Sequence, residues 1–290
     1  MTHLPSPCPD AALGAPVTPG HRDPQPARPD RRIALQRAGA VLFGGWPALP
    51  GRAHAQIAHL GEAVNQSGRQ RMLSQRMAKA WLALARGIEP RRAERALGAS
   101  VRLFEQQLGA LRAWAPDPAL RVTLAGLDEA WTPFRARLTQ GTPDAAEAAA
   151  LLALDARVLT LAHQATQQIE GLMARPVGRL INIAGRQRML SQRMAKLKLA
   201  PAAAGVNATA LEEARAAFVT AMGVLGAAPE NDATLKEALA LAQGQWTLYE
   251  PLLRRPGTPE GRDAADLFVA SENLLSALDQ MTALYARQGA

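Results

Sequence analysis

Apolar residues recur at three- and four-residue spacing through eight stretches of the chain, the period of helices that bury one side. Turn signals separate the stretches: Gly87-Ile88-Glu89, Ala115-Pro116-Asp117 and Gln140-Gly141-Thr142 in the first half. The pattern predicts helices over about Ile57 to Arg86, Pro90 to Trp114, Pro118 to Thr139 and Pro143 to Met173. Four more are expected over Val177 to Leu199, Ala208 to Ala227, Asp232 to Leu253 and Pro259 to Ala286. Thr142 and Thr258 are the expected N-caps of the fourth and eighth helices, each with proline at the first helical position. Pro133 falls inside the third helix and is expected to kink it. Short connections between long helices make neighbours antiparallel.

The second half of this pattern repeats the first. Gly68-Arg69-Gln70-Arg71-Met72-Leu73-Ser74-Gln75-Arg76-Met77-Ala78-Lys79 returns without a change as Gly185 to Lys196, an offset of 117. Phe104 corresponds to Phe218, Trp131-Thr132 to Trp246-Thr247, Gly141-Thr142-Pro143-Asp144 to Gly257-Thr258-Pro259-Glu260, and Val158-Leu159 to Leu274-Leu275, at offsets of 114 to 116. A unit of roughly 115 residues is therefore duplicated in tandem. The expected architecture is all-α: two antiparallel four-helix units, over residues 56–174 and 175–290, packed as a pseudo-two-fold pair through their first helices.

A helical wheel gives the first helix two faces. Leu73, Met77, Ala80 and Leu84 suit the core of its own bundle. Ile57, Leu60, Val64, Gly68, Arg71, Gln75, Ala78 and Leu82 form the other face, aliphatic at both ends and polar in the middle. Val177, Ile181, Gly185, Arg188, Gln192, Ala195 and Leu199 repeat it. A polar patch flanked by aliphatic residues is expected to meet another helix, and its duplicate is the natural partner. Arg71 and Arg188 would then approach each other, with Gly68 and Gly185 letting the backbones close in. Two guanidinium groups about 8 Å apart at an effective dielectric near 20 repel by roughly 2 kcal/mol. A small planar oxyanion between them would remove that repulsion, because the guanidinium fork presents parallel donors to two oxygens of one plane.

Each box carries three arginines, one lysine and no acid, and it holds no nucleophile paired with a base. An anion-binding helix follows from this, and an enzyme does not. Arg71 and Arg188 equally fit structural ion pairs on spacing alone. Met72, Met77, Met189 and Met194 are expected to fill the core. Arg69, Arg76, Lys79 and their counterparts fall off the patch, solvated or paired with acids of neighbouring helices, and Ser74 and Ser191 are read as helix-surface hydroxyls. His59 and His163, isolated from each other, make neither a metal site nor a catalytic pair.

Composition agrees with close-packed helices: 48% of residues are hydrophobic but only 4% aromatic. Cys8 is the single cysteine, so no disulfide framework is expected and no cofactor is implied. Ahead of the helices, Arg31-Arg32, a short apolar run from Ala38 to Leu49 and Ala53-His54-Ala55 resemble a twin-arginine export signal over residues 1–55. Removal of that segment leaves 27 basic and 22 acidic residues, a net +5. Export to the periplasm and so modest an excess both argue against nucleic acid as a partner.

The stretch Ile181-Asn182-Ile183-Ala184-Gly185-Arg186-Gln187-Arg188-Met189-Leu190-Ser191-Gln192-Arg193-Met194 resembles the conserved box of the PilJ-type domain, the N-terminal ligand-binding domain of type IV pilus methyl-accepting chemotaxis transducers. A related box occurs in the periplasmic sensor domain of nitrate/nitrite sensor histidine kinases. The resemblance implies four-helix units with the box on the first helix. It also implies ligand binding between first helices, by the arginine three residues after the box glycine. Here those are Arg71 and Arg188, with the backbone at Gly68 and Gly185 beside them and Gln75 and Gln192 one turn on. The expectation is a soluble periplasmic sensory protein for nitrate or nitrite. It would report to a membrane-bound sensor kinase, chemoreceptor or transporter, with a homodimer as a further level of assembly. The alternative is a structural or interaction protein of type IV pili or a chemoreceptor, with no small-molecule ligand.

Overall fold

The computed structural model describes residues 57–173, 176–205 and 208–290. The export signal expected over residues 1–55 lies outside the described residues. Among the described residues eight α-helices appear in the expected order: α1 Leu60–Ala85, α2 Pro90–Trp114, α3 Pro118–Thr139, α4 Ala148–Gly171, α5 Pro176–Leu199, α6 Ala208–Gly226, α7 Ala233–Arg254 and α8 Gly261–Gln288. Among the described residues there is no strand, so the fold is all-α.

Local chemistry sets the helix ends. The His59 ring caps α1 by accepting from the Glu62 amide at 3.2 Å, so the helix starts three residues later than its apolar pattern. At its other end Gly87 (φ +66°) follows the last turn, with the Ile88 amide donating to Ala83 and the Gly87 amide to Leu84. That pairing of the 6→1 and 5→2 bonds is a Schellman stop, and it needs the left-handed conformation that glycine adopts without strain. Asp117 and Asp232 cap α3 and α7 through their carboxylates. Helix α3 continues through Pro133 to Thr139.

Thr142 and Thr258 do not cap helices. The Asp144 carboxylate, a stronger acceptor two residues further on, takes the Ala146 amide and opens a 3-10 turn over Ala145–Glu147, and α4 proper begins at Ala148. In the second half Glu260 occupies the cap position, and Gly261 (φ +48°) turns the chain into α8.

Within each half every helix touches the next and the fourth returns to the first: α1, α2, α3 and α4 close one ring, α5, α6, α7 and α8 the other. The same aromatic triad anchors both rings. Phe104 stacks on Trp131 at 4.3 Å between centroids and Phe134 meets that indole edge-on at 6.0 Å; Phe218, Trp246 and Tyr249 repeat the arrangement at 4.3 and 6.1 Å. Offset and edge-to-face geometry each add about 0.5–1.5 kcal/mol beyond burial.

The largest helix–helix contact in the molecule joins the halves: α1 packs along α5, and α1 also reaches α8 while α5 reaches α4. Helix α1 is consequently covered over most of its surface, with Gly68, Gln70, Arg71, Ser74, Gln75 and Lys79 buried among its apolar residues. Met72, Met77, Met189 and Met194 are buried as core filling.

Candidate functional site at the α1–α5 crossing

The two box glycines meet at the crossing. A Cβ built on Gly68 would lie 3.9 Å from the Gly185 Cα, 3.2 Å from Arg71 Nη2 and 3.7 Å from Arg188 Nη2. One on Gly185 would lie 3.9 Å from the Gly68 Cα, 3.4 Å from Arg188 Nη2 and 3.5 Å from Arg71 Nη2. Both guanidinium groups therefore flank the glycine contact, in space that any side chain at those positions would contest. Both arginines are fully buried.

Each arginine crosses to the other half. Arg71 Nη2 donates to Asn182 Oδ1 at 2.7 Å and to the Asn182 carbonyl at 3.4 Å; Arg188 Nη2 donates to the Asn65 carbonyl at 3.2 Å. Asn65 and Asn182 are equivalent positions of the repeat, so the bonds are reciprocal. The Nε atoms of both arginines are buried without a partner. Burial and then the charge of Arg188 lower the pKa of Arg71 to about 9. Burial and then Arg69 lower that of Arg188 to about 10, against the opposing pull of Asp279. Both remain cations at neutral pH.

The remaining partners differ between the halves. Arg188 Nη1 donates to Asp279 Oδ1 at 2.5 Å, and Arg69 Nη2 reaches the same oxygen at 3.0 Å. Arg71 Nη1 instead meets His163 Nδ1 at 3.2 Å. Since the guanidinium can only donate, that ring nitrogen accepts and the imidazole is neutral. Burial, then Arg71 and Arg186, push the His163 pKa below its ordinary value. Burial alone would raise the Asp279 carboxyl, but Arg188 and Arg69 outweigh it and hold the pKa below the usual range.

Gln75 and Gln192 lie one turn beyond the arginines, engaged elsewhere. Gln75 Nε2 donates to Asp155 Oδ1 at 2.7 Å, and Gln192 Nε2 donates to the Ser271 carbonyl at 2.8 Å. Lys79 Nζ donates to Gln192 Oε1 at 2.6 Å, Ser271 Oγ at 2.8 Å and Glu272 Oε1 at 2.7 Å. Lys196 Nζ pairs with the fully buried Asp155 at 2.5 Å. Each box lysine thus ties the first helix of its own half to the fourth helix of the other. Ser74 and Ser191 are not surface hydroxyls. They are fully buried, donate to the Arg71 and Arg188 carbonyls, and accept from Gln75 and Gln192.

Sequence reasoning placed the arginines and glycines but missed His163, Asp279, Asn65 and Asn182. The asparagines stood within reach, since both occupy the same register three residues before the box glycine.

The model of the PilJ family, described as "Type IV pili methyl-accepting chemotaxis transducer N-term", matches residues 53–157 and again residues 173–268. The chain belongs to the PilJ family. Two tandem matches cover more than half of it, and each contains one copy of the box and its first helix. PilJ domains are the sensory part of chemotaxis transducers, which fits a membrane-associated partner. No curated protein and no solved structure matches the chain. Among the described residues no helix is long and apolar enough to cross a membrane.

Proposed function

We propose that this PilJ protein is a periplasmic nitrate- or nitrite-binding sensory protein that passes its ligand state to a membrane-bound kinase, chemoreceptor or transporter. The observation that carries the reading is the pair of buried arginines, Arg71 and Arg188, set around a glycine–glycine contact on helices whose boxes contain no acid. Burying like charges together is costly unless an anion compensates them. A bound anion would draw α1 and α5 together and shift one helix against the other, the small interface movement that sensory proteins amplify. Gly68, Gly185, Gln75 and Gln192 complete the proposed surroundings, with residues 56–174 and 175–290 as the two units and export by the twin-arginine route.

Thermal unfolding of the exported chain tests this, with nitrate, nitrite, chloride and sulfate at matched ionic strength. A ligand at one hundred times its Kd stabilises by about 2.7 kcal/mol, so nitrate or nitrite should raise Tm selectively. Equal responses to all four salts would overturn the reading.

A second reading has its own support. Each box lysine is matched to a carboxylate across the halves, and Arg188 to Asp279 within its own half. The box is then a packing device, and the chain an interaction partner of type IV pili or a chemoreceptor. A flat response to every anion is what this reading expects.

A further inference from the structure

The fourth helices of the two halves are offset by 116 in the sequence, so His163 on α4 stands where Asp279 stands on α8, and Ala156 where Glu272 stands. The consequences run along the whole box. On the α8 side, Arg69 and Arg188 share Asp279, and Arg76 is bound by Glu272 through Nη2 at 2.5 Å. On the α4 side stand Arg186, Arg71 and Arg193. Among the described residues none of these three is ion-paired to a carboxylate. Three box arginines are thus met by two acids on one side and by none on the other.

The charge of Arg186 bears on both Arg71 and His163. The acid nearest in effect to Arg71 is Glu170, which binds the Asn182 amide rather than the guanidinium itself. Asp279 shows what occupies the corresponding place in the other half: one negative oxygen accepting from two guanidinium groups. His163 supplies only a single neutral lone pair there. The place lies at the rim of the bundle. The Asp279 side chain is 43% exposed while Arg188 behind it is 0% exposed, and His163 at the equivalent point is likewise partly exposed in front of the buried Arg71. Arg186 stands exposed at that rim.

We propose that the chain has one anion site rather than two: a monovalent oxyanion bridges Arg71 and Arg186 beside the His163 ring, supplying there the negative charge that the Asp279 carboxylate supplies to Arg188 and Arg69 in the other half. The inference rests on the anion-binding reading and narrows it to one side. A planar anion offers two oxygens to the two guanidinium groups, as one carboxylate oxygen already does for Arg69 and Arg188. Arg188 contributes charge from behind but is held by its own internal acid.

Isothermal titration of the full chain with sodium nitrate, nitrite, formate and chloride tests this. The wild type should bind one anion per chain. Arg186→Ala should weaken binding at least tenfold, while Arg69→Ala, its counterpart in the repeat, should leave it unchanged within twofold. His163→Asp should supply an internal carboxylate and abolish binding. Asp279→His should make the second side like the first and raise the stoichiometry to two. Equal losses in Arg186→Ala and Arg69→Ala, or two anions per wild-type chain, would overturn one-sidedness while the anion-binding reading stood. Formate binding without nitrate or nitrite, and with the same Arg186/Arg69 difference, would keep the place and overturn the nitrate reading, whereas binding of chloride alone would overturn the oxyanion bridge. No anion bound by the wild type would overturn both. Arg186 is exposed, so its variant stays informative if either substitution at a buried contact fails to fold, which circular dichroism reports.

Discussion

At the scale of single residues, the α1–α5 crossing depends on two positions that carry no side chain. A methyl at Gly68 would sit 3.2 Å from Arg71 Nη2, close enough that the guanidinium must give way, and a longer side chain would also drive into α5. Gly68→Leu should therefore destabilise by about 1–3 kcal/mol through overpacking and displace the arginine. Gly109, inside α2, has nothing within 4 Å of its missing Cβ. Gly109→Ala should stabilise by about 0.5–1 kcal/mol through helix propensity alone. Urea denaturation distinguishes the two, and a neutral Gly68→Leu would remove the close approach from the account. The glycines and arginines could be read from the wheel because their spacing alone sets their face. The partners of the arginines could not. His163 and Asp279 lie about ninety residues downstream, and only the packing register of α4 and α8 brings them to the box. Ser74 was misplaced for a related reason: a wheel assumes a broad solvated side, and α1 keeps only the partly exposed stripe of Glu62, Arg69 and Arg76.

At the scale of elements, the box lysines lace helices of different halves together. Asp155 on α4 is fully buried and accepts from both Gln75 and Lys196. Asp155→Ala leaves a buried ammonium without its counter-charge and should cost about 3–5 kcal/mol. Arg112→Ala, which breaks an exposed pair with Asp128, should cost no more than about 1 kcal/mol. Equal midpoint shifts in the two variants would refute the assignment of the buried tie.

The pair between Lys79 of α1 and Glu272 of α8 sets a pH dependence. Burial alone would raise the Glu272 carboxyl, but Lys79 and then Arg76 overcome it and bring the pKa to about 2. Burial also lowers Lys79, to about 8, by more than Glu272 restores. The carboxylate keeps its charge because two cations act on it, whereas the ammonium has a single acid. A carboxyl pKa depressed by folding means that the unfolded chain binds more protons between pH 4.5 and 2. Stability should fall through that window, by about 3 kcal/mol for this group, and Glu272→Gln should flatten the slope. An unchanged acid limb in the variant would show that other carboxylates dominate. Helix existence was legible in the apolar period, since eight stretches became eight helices. Helix starts were less so, because Asp144 outcompetes Thr142 for the backbone amides it could have capped.

At the scale of the whole molecule, the halves repeat in sequence but share their most extensive interface, α1 against α5. Unfolding should accordingly be one cooperative transition, with far-ultraviolet circular dichroism and tryptophan fluorescence coincident. Residues 176–290 expressed alone would leave Val177, Ile181, Arg188 and Ala195 of α5 without their cover. That fragment should self-associate, a second α5 standing in for α1; a folded monomer in sedimentation would argue that each half is self-sufficient. The duplication itself was plain in the text of the chain, as was the burial of the box. That the two halves carry unequal charge was not, because the difference resides in α4 and α8 and gains meaning only when those helices are placed against the boxes.

The exchange of His163 for Asp279 has an implication for how such a protein can change by descent. In an assembly of two identical chains, every mutation is copied into both partners at once. An aspartate at this position would silence both arginines, and a histidine would silence neither. Joining the two copies in one gene releases each from the other's alterations, so that one half can leave its buried arginine without a carboxylate while its twin pairs the equivalent arginine with one.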